Sequence, residues 1–347
     1  MNIAIIGSGM VADTHAEAIN HLEGCRLFGV AGRDPEKAEA FAKKYGSRGF
    51  ESVEALLAEP ELDIVTIATP SGNHLEQCRQ GAEAGKHILV EKPVEITPER
   101  VDQVIQICRD AGVLLAPILN RRFNPAVEAL KKAVDAGRFE NLVLCSANIH
   151  WFRDQEYYDS GAWRGTWELD GGGVLMNQGI HTVDRLIHIA GDISTVSATT
   201  ACLAHTGIEV EDVAALHLQF ANGARGTIEA TTGCWSAEGH PAEIAICGSA
   251  GSAFLHDETF RRWEFRDEQP EDEEIRQTLL GSVKAHGAND PKAINYEGHR
   301  RNFADAVAAI KENRPLAATP QDARRAVAVI CAAYESARDG GKPIQVS

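Results

Sequence analysis

The sequence predicts two domains of different construction: an α/β domain with a doubly wound parallel sheet over residues 1–120, and a second domain over 121–347 built on a largely antiparallel sheet. Three observations carry this. The 347 residues exceed one ordinary domain, and length divided by about 150 points to two. In the first third, short apolar runs alternate with segments of helical periodicity, the pattern of a parallel sheet covered on both faces. Further on, several stretches are rich in Val, Ile, Thr and aromatic residues and are joined by hairpin-type turns.

The strands of the first domain are read at IAII (3–6), LFGVA (27–31), IVTIA (64–68), HILVE (87–91) and VLLAPIL (113–119). Between them lie helical segments from Val11 to Leu22, DPEKAEAFAKKYG, NHLEQCRQGAEAG and TPERVDQVIQICRDAG, the last two closing on glycine as helices often do. In the second domain the strand-like stretches are VLCSANIHWF, TVSATTACLA, DVAALHLQF, ARGTIEATTG, AEIAICG and SAFLHD, with ANG and SAGS as turns. Residues 295–312 and 320–338 read as helices.

Composition narrows the partners. Apolar residues make up 44% and charged residues 24%, ordinary globular usage, and the formal charge is -16. Such a balance, without a basic cluster, argues against nucleic acid or an anionic membrane, so any bound anion must be captured locally. The eight cysteines are scattered with no CxxC pair, which predicts reduced thiols in a cytoplasmic protein rather than a zinc ribbon or a disulfide scaffold. The opening MNIAIIGSGM lacks a basic leader and reads as a strand.

Gly7-Ser8-Gly9-Met10-Val11-Ala12 is a G-x-G-x-x-A turn between the first strand and the first helix. Gly7 permits the tight turn, Gly9 allows a pyrophosphate to approach the backbone, and Ala12 keeps the helix near the sheet. The free N–H groups at Met10 and Val11 would face the anion. The second strand exit reads VAGRDPEKA, with Gly32 where an acid usually binds the ribose of NAD. Arg33 beside it favours a 2′-phosphate, so NAD or NADP is expected with NADP preferred; Asp34 leaves this open or simply caps the helix that starts at Pro35.

Two further strand exits carry chemistry. In ATPSGNH (68–74), Thr69 and Pro70 form a turn toward the cofactor, while Asn73 and His74 either cap the next helix or line its groove. In EKP (91–93), Glu91 and Lys92 border the same groove, and Lys92 is held in an extended conformation by Pro93. Beside an oxidised nicotinamide its ammonium is destabilised, which suits proton exchange with a substrate hydroxyl; the alternative is a surface lysine paired with Glu91 or Glu95.

Later in the chain, GGGVLMNQGIHTVD (171–184) places Asn177, His181 and Asp184 at intervals of four and three, one face of a helix. With one strong nitrogen donor and no second histidine at helical spacing, the triplet predicts no metal.

Taken in order, IAIIGSGMVADTHAEAI, ATPSGNH, VEKPV, NRRFNPAV and WRGTWELDGGGVLMNQGIHTVD resemble the glucose-fructose oxidoreductase, inositol dehydrogenase and rhizopine-catabolism (Gfo/Idh/MocA) family over nearly the whole chain. The resemblance implies an amino-terminal Rossmann domain and a carboxyl-terminal α+β domain with a large open, mainly antiparallel sheet. It implies hydride transfer between a nicotinamide and a secondary alcohol or ketone carbon of a sugar, polyol or sugar nucleotide, in a homodimer or homotetramer, and a tail that packs back on the first domain.

By position, Lys92 matches the family lysine that hydrogen-bonds the reacting oxygen, and His181 the histidine that donates or accepts the proton. Asn177 stands where the family has aspartate; it orients a hydroxyl but cannot take a proton. Asp184 is expected to hold the imidazole or a substrate hydroxyl, with a purely structural carboxylate as the alternative. Arg122, Trp163, Arg164 and Tyr296 are candidates for the substrate wall or for domain packing.

Two other functions fit the same resemblance. One is a glycosidase that oxidises its sugar transiently with tightly held NAD, eliminates the aglycone and restores the hydride. The other is a nicotinamide-responsive regulator without activity, against which the retention of Lys92 and His181 argues.

Overall fold

The structure is a computed structural model that describes residues 1–281 and 295–347. Two compact units result: Met1–Asn120 with a later segment ending at Arg324, and the chain from Arg121 onward with Arg325–Ser347.

The first unit is built on six parallel strands, β1 (Asn2–Ile6), β2 (Arg26–Ala31), β3 (Arg48–Gly49), β4 (Ile64–Ile67), β5 (His87–Val90) and β6 (Leu115–Pro117), in the order β3-β2-β1-β4-β5-β6. This order reverses between β1 and β4, which opens a crevice at the carboxyl ends of those strands. β4 is entirely buried, as are the last four residues of β1 and the last three of β5, because helices cover both sheet faces.

The helices are α1 (Met10–Asn20), α2 (Pro35–Lys44), α3 (Val53–Leu57), α4 (His74–Glu83) and α5 (Pro98–Asp110). Asp34 caps α2 by accepting from the Lys37 N–H at 3.2 Å, and Thr97 caps α5 from Arg100 at 3.3 Å, each followed by proline at the first helical position. A later helix, α10 (Glu297–Glu312), completes this unit; its Phe303, Ala306 and Val307 join the core formed by Ile3, Ile5, Ile64 and Leu89.

The second unit opens with α6 (Pro125–Asp135), capped by Asn124. Its sheet comprises β7 (Leu142–His150), β8 (Ile193–Ala201), β9 (Val213–Phe220), β10 (Arg225–Thr231), β11 (Glu243–Gly248), β12 (Gly251–His256), β13 (Thr259–Phe265) and β14 (Ile344–Gln345). They lie in the order β13-β12-β11-β7-β10-β9-β8-β14; β7 and β10 run parallel and the other neighbours antiparallel. Burial alternates strictly along β9, with Ala214, Leu216, Leu218 and Phe220 inside and Ala215, His217 and Gln219 exposed. One face of the sheet is therefore core and the other open. Helices α7 (Gln155–Asp159), α8 (Ile180–Ala190), α9 (Pro270–Leu279) and most of α11 (Pro320–Arg338) complete this unit.

Candidate functional site

At the first crossover the backbone is shaped for an anion. Gly7 has φ +109°, and a Cβ there would lie 2.6 Å from the Ala68 carbonyl oxygen, so no other residue fits the turn. Gly9 precedes α1 and is exposed, and a Cβ on it would meet no atom within 4 Å. That open space lies directly before the unpaired N–H groups of a helix start, and buried Ala12 brings the helix onto the sheet. Gly7, Gly9, Met10 and Val11 are the residues that could hold a dinucleotide pyrophosphate in this cradle. Gly32 faces the same turn, its Cβ position 3.8 Å from Ser8 Oγ, while Arg33 is exposed and Asp34 is engaged as the α2 cap.

The exits of β4 and β5 are tied together. Buried His74 sits 2.9 Å from the Pro93 carbonyl oxygen through Nδ1 and 3.0 Å from that of Thr69 through Nε2. Its ring thus bridges the two exits instead of facing the groove, and burial lowers its pKa. The hydroxyl of Thr69 is bonded to Gln77. Glu91 is buried and uses both oxygens within the unit, whereas Lys92 keeps partial exposure ahead of a cis peptide to Pro93.

In the second unit the glycine-rich stretch does not start a regular helix. Leu175–Gly179 form a π-type turn, closed by the Gly179 N–H on the Val174 carbonyl at 2.6 Å, and α8 follows from Ile180. This corrects the one-face reading of the triplet: four residues make up nearly one turn of the wider loop, so Asn177 and His181 stay together and partly exposed, whereas Asp184, three α-helical residues further on, is rotated into the buried side. Between residues 170 and 187 only Asn177 and His181 are partly exposed; every other residue is buried.

Asp184 is among the buried ones. It pairs with Arg122 through Nη2 to Oδ1 at 2.6 Å and Nε to Oδ2 at 2.8 Å, both side chains nearly inaccessible. Arg122, a candidate for the substrate wall or for packing, and Asp184, expected at the imidazole or a substrate hydroxyl or as a structural carboxylate, direct their charges at one another; removing one from such a pair costs about 3–5 kcal/mol because the other stays buried and charged. Asn177 donates through Nδ2 to Asp170 Oδ1 at 2.6 Å, and Asp170 Oδ2 accepts from the Gly165 N–H at 2.9 Å. The Asn177 amide is thereby fixed, its nitrogen turned toward Asp170.

Two of the three glycines, Gly172 and Gly173, have a physical cause in their packing. Three successive N–H groups end on Glu211: Gly173 on Oε2 at 2.9 Å, Val174 on the main-chain oxygen at 3.0 Å and Leu175 on Oε1 at 3.0 Å. The Tyr334 hydroxyl donates to Oε1 as well, at 2.9 Å. A Cβ on Gly173 would lie 1.7 Å from the Glu211 carbonyl oxygen, and one on Gly172 would lie 2.1 Å from the Tyr334 oxygen. Glu211 and Tyr334 thus form a clasp on the start of the turn that carries Asn177, and only glycine lets them close.

Burial pushes the Glu211 carboxyl up to about 7, against the hydrogen bonds it accepts. A carboxyl that titrates near 7 when folded and near its ordinary 4.5 when unfolded binds its proton more tightly in the fold. It stabilises the fold fully below about pH 4.5, and this contribution is lost as pH rises through about 7. At about 1.4 kcal/mol per pKa unit the component is roughly 3 kcal/mol. Urea unfolding across pH 4.5–8 should show wild type losing stability by a component that Glu211→Gln lacks; parallel curves for the two proteins would refute it.

Of the remaining wall candidates, Tyr296 belongs to the first unit and stacks on His21, ring centroids 4.6 Å apart. Arg164 lies over Trp163 at 4.5 Å and over Tyr157 at 4.2 Å, and donates to the Tyr157 hydroxyl at 2.7 Å. Gln178, next to Asn177, donates to the same hydroxyl at 3.2 Å, and the guanidinium of buried Arg153 lies 5.4 Å from the Tyr157 ring. Arg164 has no carboxylate within ion-pair distance among the described residues. Asp170, Glu211, Tyr334, Arg153, His15 and His299 carried no local signal in the sequence; their partners are all distant or contributed by the backbone.

Outside the triplet, the described residues bring His15, Glu91 and His299 to metal-like spacing, all buried in the first unit.

A six-stranded sheet of this order, with a glycine turn and an open helix start at its first crossover, defines a dinucleotide-binding protein; the second unit adds a partly exposed Asn and His on a buried segment. The chain belongs to the Gfo/Idh/MocA oxidoreductases. Residues 1–118 match the oxidoreductase family with an NAD-binding Rossmann fold, and residues 127–254 match the GFO/IDH/MocA C-terminal domain.

Among similar structures is the WlbA dehydrogenase of Bordetella pertussis in complex with NADH and UDP-GlcNAcA, 30% identical, with a TM-score of 0.88 over 100% of this chain and 98% of that one. Similar proteins include inositol 2-dehydrogenase of Rhizobium meliloti, 28% identical over 73% of this chain and 74% of that protein. Another is scyllo-inositol 2-dehydrogenase of Bacillus subtilis, 28% identical over 73% and 72%. The chain is thus an oxidoreductase acting on CH–OH groups with a nicotinamide cofactor.

Proposed function

We propose that the protein oxidises a secondary hydroxyl of a sugar nucleotide whose sugar carries a carboxylate, or reduces the corresponding ketone. The observation behind this reading is Arg164, a partly exposed guanidinium held over Trp163 and Tyr157 with Arg153 nearby. Two cations around one ring form a site for an anionic substituent, and an indole suits a sugar face. Likeness to a dehydrogenase crystallised with UDP-GlcNAcA supports it.

In this reading residues 1–120, joined by α10, bind the cofactor, and the rest of residues 121–347 bind the substrate and provide the surface for assembly. When bound, the nicotinamide accepts or returns the hydride. Gly7, Gly9, Met10 and Val11 hold its pyrophosphate, Thr69 and Pro70 border the groove, and Lys92 and His181 manage the hydroxyl proton, help worth roughly a hundred- to ten-thousandfold. Asn177, its amide fixed by Asp170, orients the hydroxyl. Arg122 and Asp184 act behind the site by holding one another. The open sheet face is the surface for a homodimer or homotetramer, checked by light scattering.

With NAD or NADP supplied, the reduced nicotinamide should accumulate with a UDP-linked uronic acid and not with the UDP-linked neutral sugar. Equal rates on both would remove the carboxylate from the reading, and release of a free sugar without net NADH would favour the glycosidase. For the cofactor, Gly32 and exposed Arg33 favour NADP, although the similar WlbA holds NADH. Arg33→Ala should weaken NADP by about tenfold and leave NAD unchanged, the size of one exposed charge-assisted contact. Titration of both cofactors by fluorescence decides it, and equal loss for both would show that Arg33 does not read the 2′-phosphate.

A further inference from the structure

The first unit contains a buried polar chain that the reaction scheme leaves unused. It runs from Thr66 on β4 through His15 on α1 to Glu91 at the exit of β5, and on through His299 of α10 to Asn120. His15 Nε2 lies 3.0 Å and His299 Nε2 lies 3.1 Å from the same oxygen, Glu91 Oε1. The second oxygen, Oε2, accepts the backbone N–H of Lys92 at 3.0 Å. His15, Glu91 and His299 are between 0% and 6% exposed, so no water competes for these bonds.

The protons can be placed. The Asn120 amide donates through Nδ2 to His299 Nδ1 at 3.1 Å, so that ring carries its proton on Nε2 and donates it to Glu91. Burial lowers the pKa of His15 and keeps it neutral; its Nε2–H also points to Glu91, and Nδ1 accepts from the Thr66 hydroxyl at 3.0 Å. Burial raises the Glu91 carboxyl, but the bonds from His15 and His299 outweigh this and hold it well below the usual carboxylate range. One carboxylate therefore serves three N–H donors, two from imidazoles and one from the peptide of Lys92.

We propose that Glu91, gripped by His15 and His299, is a positioning residue for Lys92, and that it links the lysine to the helix that starts at the pyrophosphate cradle. The proposal rests on the assignment of Lys92 to proton transfer. A peptide clamped on its N–H by a buried carboxylate has little freedom, and a displacement of about 1 Å at a reacting group costs on the order of a hundredfold in rate. His15 lies one and a half turns into α1, so the carboxylate fixes the lysine relative to the element that receives the cofactor. These distances are those of direct hydrogen bonds.

The amide of Glu91→Gln offers one acceptor oxygen where the carboxylate offers two. This variant should lose at least tenfold in kcat, with substrate KM and cofactor Kd changed less than threefold. His299→Leu should do the same, and His299→Gln, which restores a donor, should recover most of the rate. Hydrogen exchange in the cofactor-free protein gives a second readout: protection at the Lys92 amide should fall in Glu91→Gln and His299→Leu and return in His299→Gln.

Wild-type kcat and unchanged Lys92 protection in both of the first two variants would overturn the proposal. So would a loss in His299→Leu that His299→Gln fails to restore although both fold. Lys92→Ala is the separate control: if it retains turnover, the proton-transfer reading fails, whereas an inactive Lys92→Ala beside a fully active Glu91→Gln rejects only the positioning role.

Discussion

Two glycine-to-alanine substitutions should behave in opposite ways. Gly173→Ala places a methyl 1.7 Å from the Glu211 carbonyl oxygen, backbone that is also bonded to Val174. The clasp cannot yield without breaking several buried hydrogen bonds, so destabilisation of about 3 kcal/mol or more is expected, together with loss of turnover. Gly9→Ala adds a methyl that meets nothing in the protein within 4 Å, at an ordinary negative φ. Its melting temperature should stay within a degree or so of wild type, while cofactor affinity falls, because the methyl occupies the space left for the pyrophosphate. Calorimetry with and without cofactor separates the two; a stable Gly173→Ala or full affinity in Gly9→Ala would contradict the account.

Purified Lys92→Ala and His181→Ala should bind cofactor as wild type does and lose between a hundred- and ten-thousandfold in kcat. Neither substitution removes a fully buried side chain, since both positions are partly exposed, so the fold should survive. Asn177→Ala is the informative companion. An orienting amide leaves the proton inventory unchanged, so its loss should be smaller and should not move the pH dependence of kcat/KM. Wild-type rates in both Lys92→Ala and His181→Ala would sink the assignment.

The fold class was legible in the sequence because its signal is local. Buried parallel strands such as IVTI show as short apolar runs, and Pro35 and Pro98 behind Asp34 and Thr97 mark helix starts. Elements that depend on distant partners were not. β13, TFRRWEF, buries Phe260, Trp263 and Phe265 with two exposed arginines between the first pair. Its register against β12 slips between Phe254 and Leu255, so the alternation that betrays a strand is broken. Likewise β3 and β14 are two residues long and exist only through their neighbours.

The candidate residues of the two units divide in the same manner. The glycine turn, the EKP exit and the Asn–His pair stand out by residue type. What fixes them does not: Glu211 and Tyr334 lie far along the chain from Gly173, and His299 is 208 residues from Glu91. A π-type turn also carries no composition of its own, so MNQGIH reads as ordinary helix until the clasp on its first N–H groups is seen. Asp184 illustrates the converse, a conspicuous carboxylate whose charge is met by Arg122 inside the protein.

The cradle at Gly7–Ala12 contains no lysine or arginine, so attraction for a polyanion comes there from peptide dipoles at contact range, in a chain of net charge -16. An approaching dinucleotide meets repulsion over nanometres and attraction only over the last few ångströms. Added salt shortens the former more than the latter, since the screening length falls to about 8 Å at physiological ionic strength. On this balance added electrolyte should accelerate cofactor capture, the reverse of the steering seen where a basic cleft draws in an anion, and stopped-flow binding at several salt concentrations checks it.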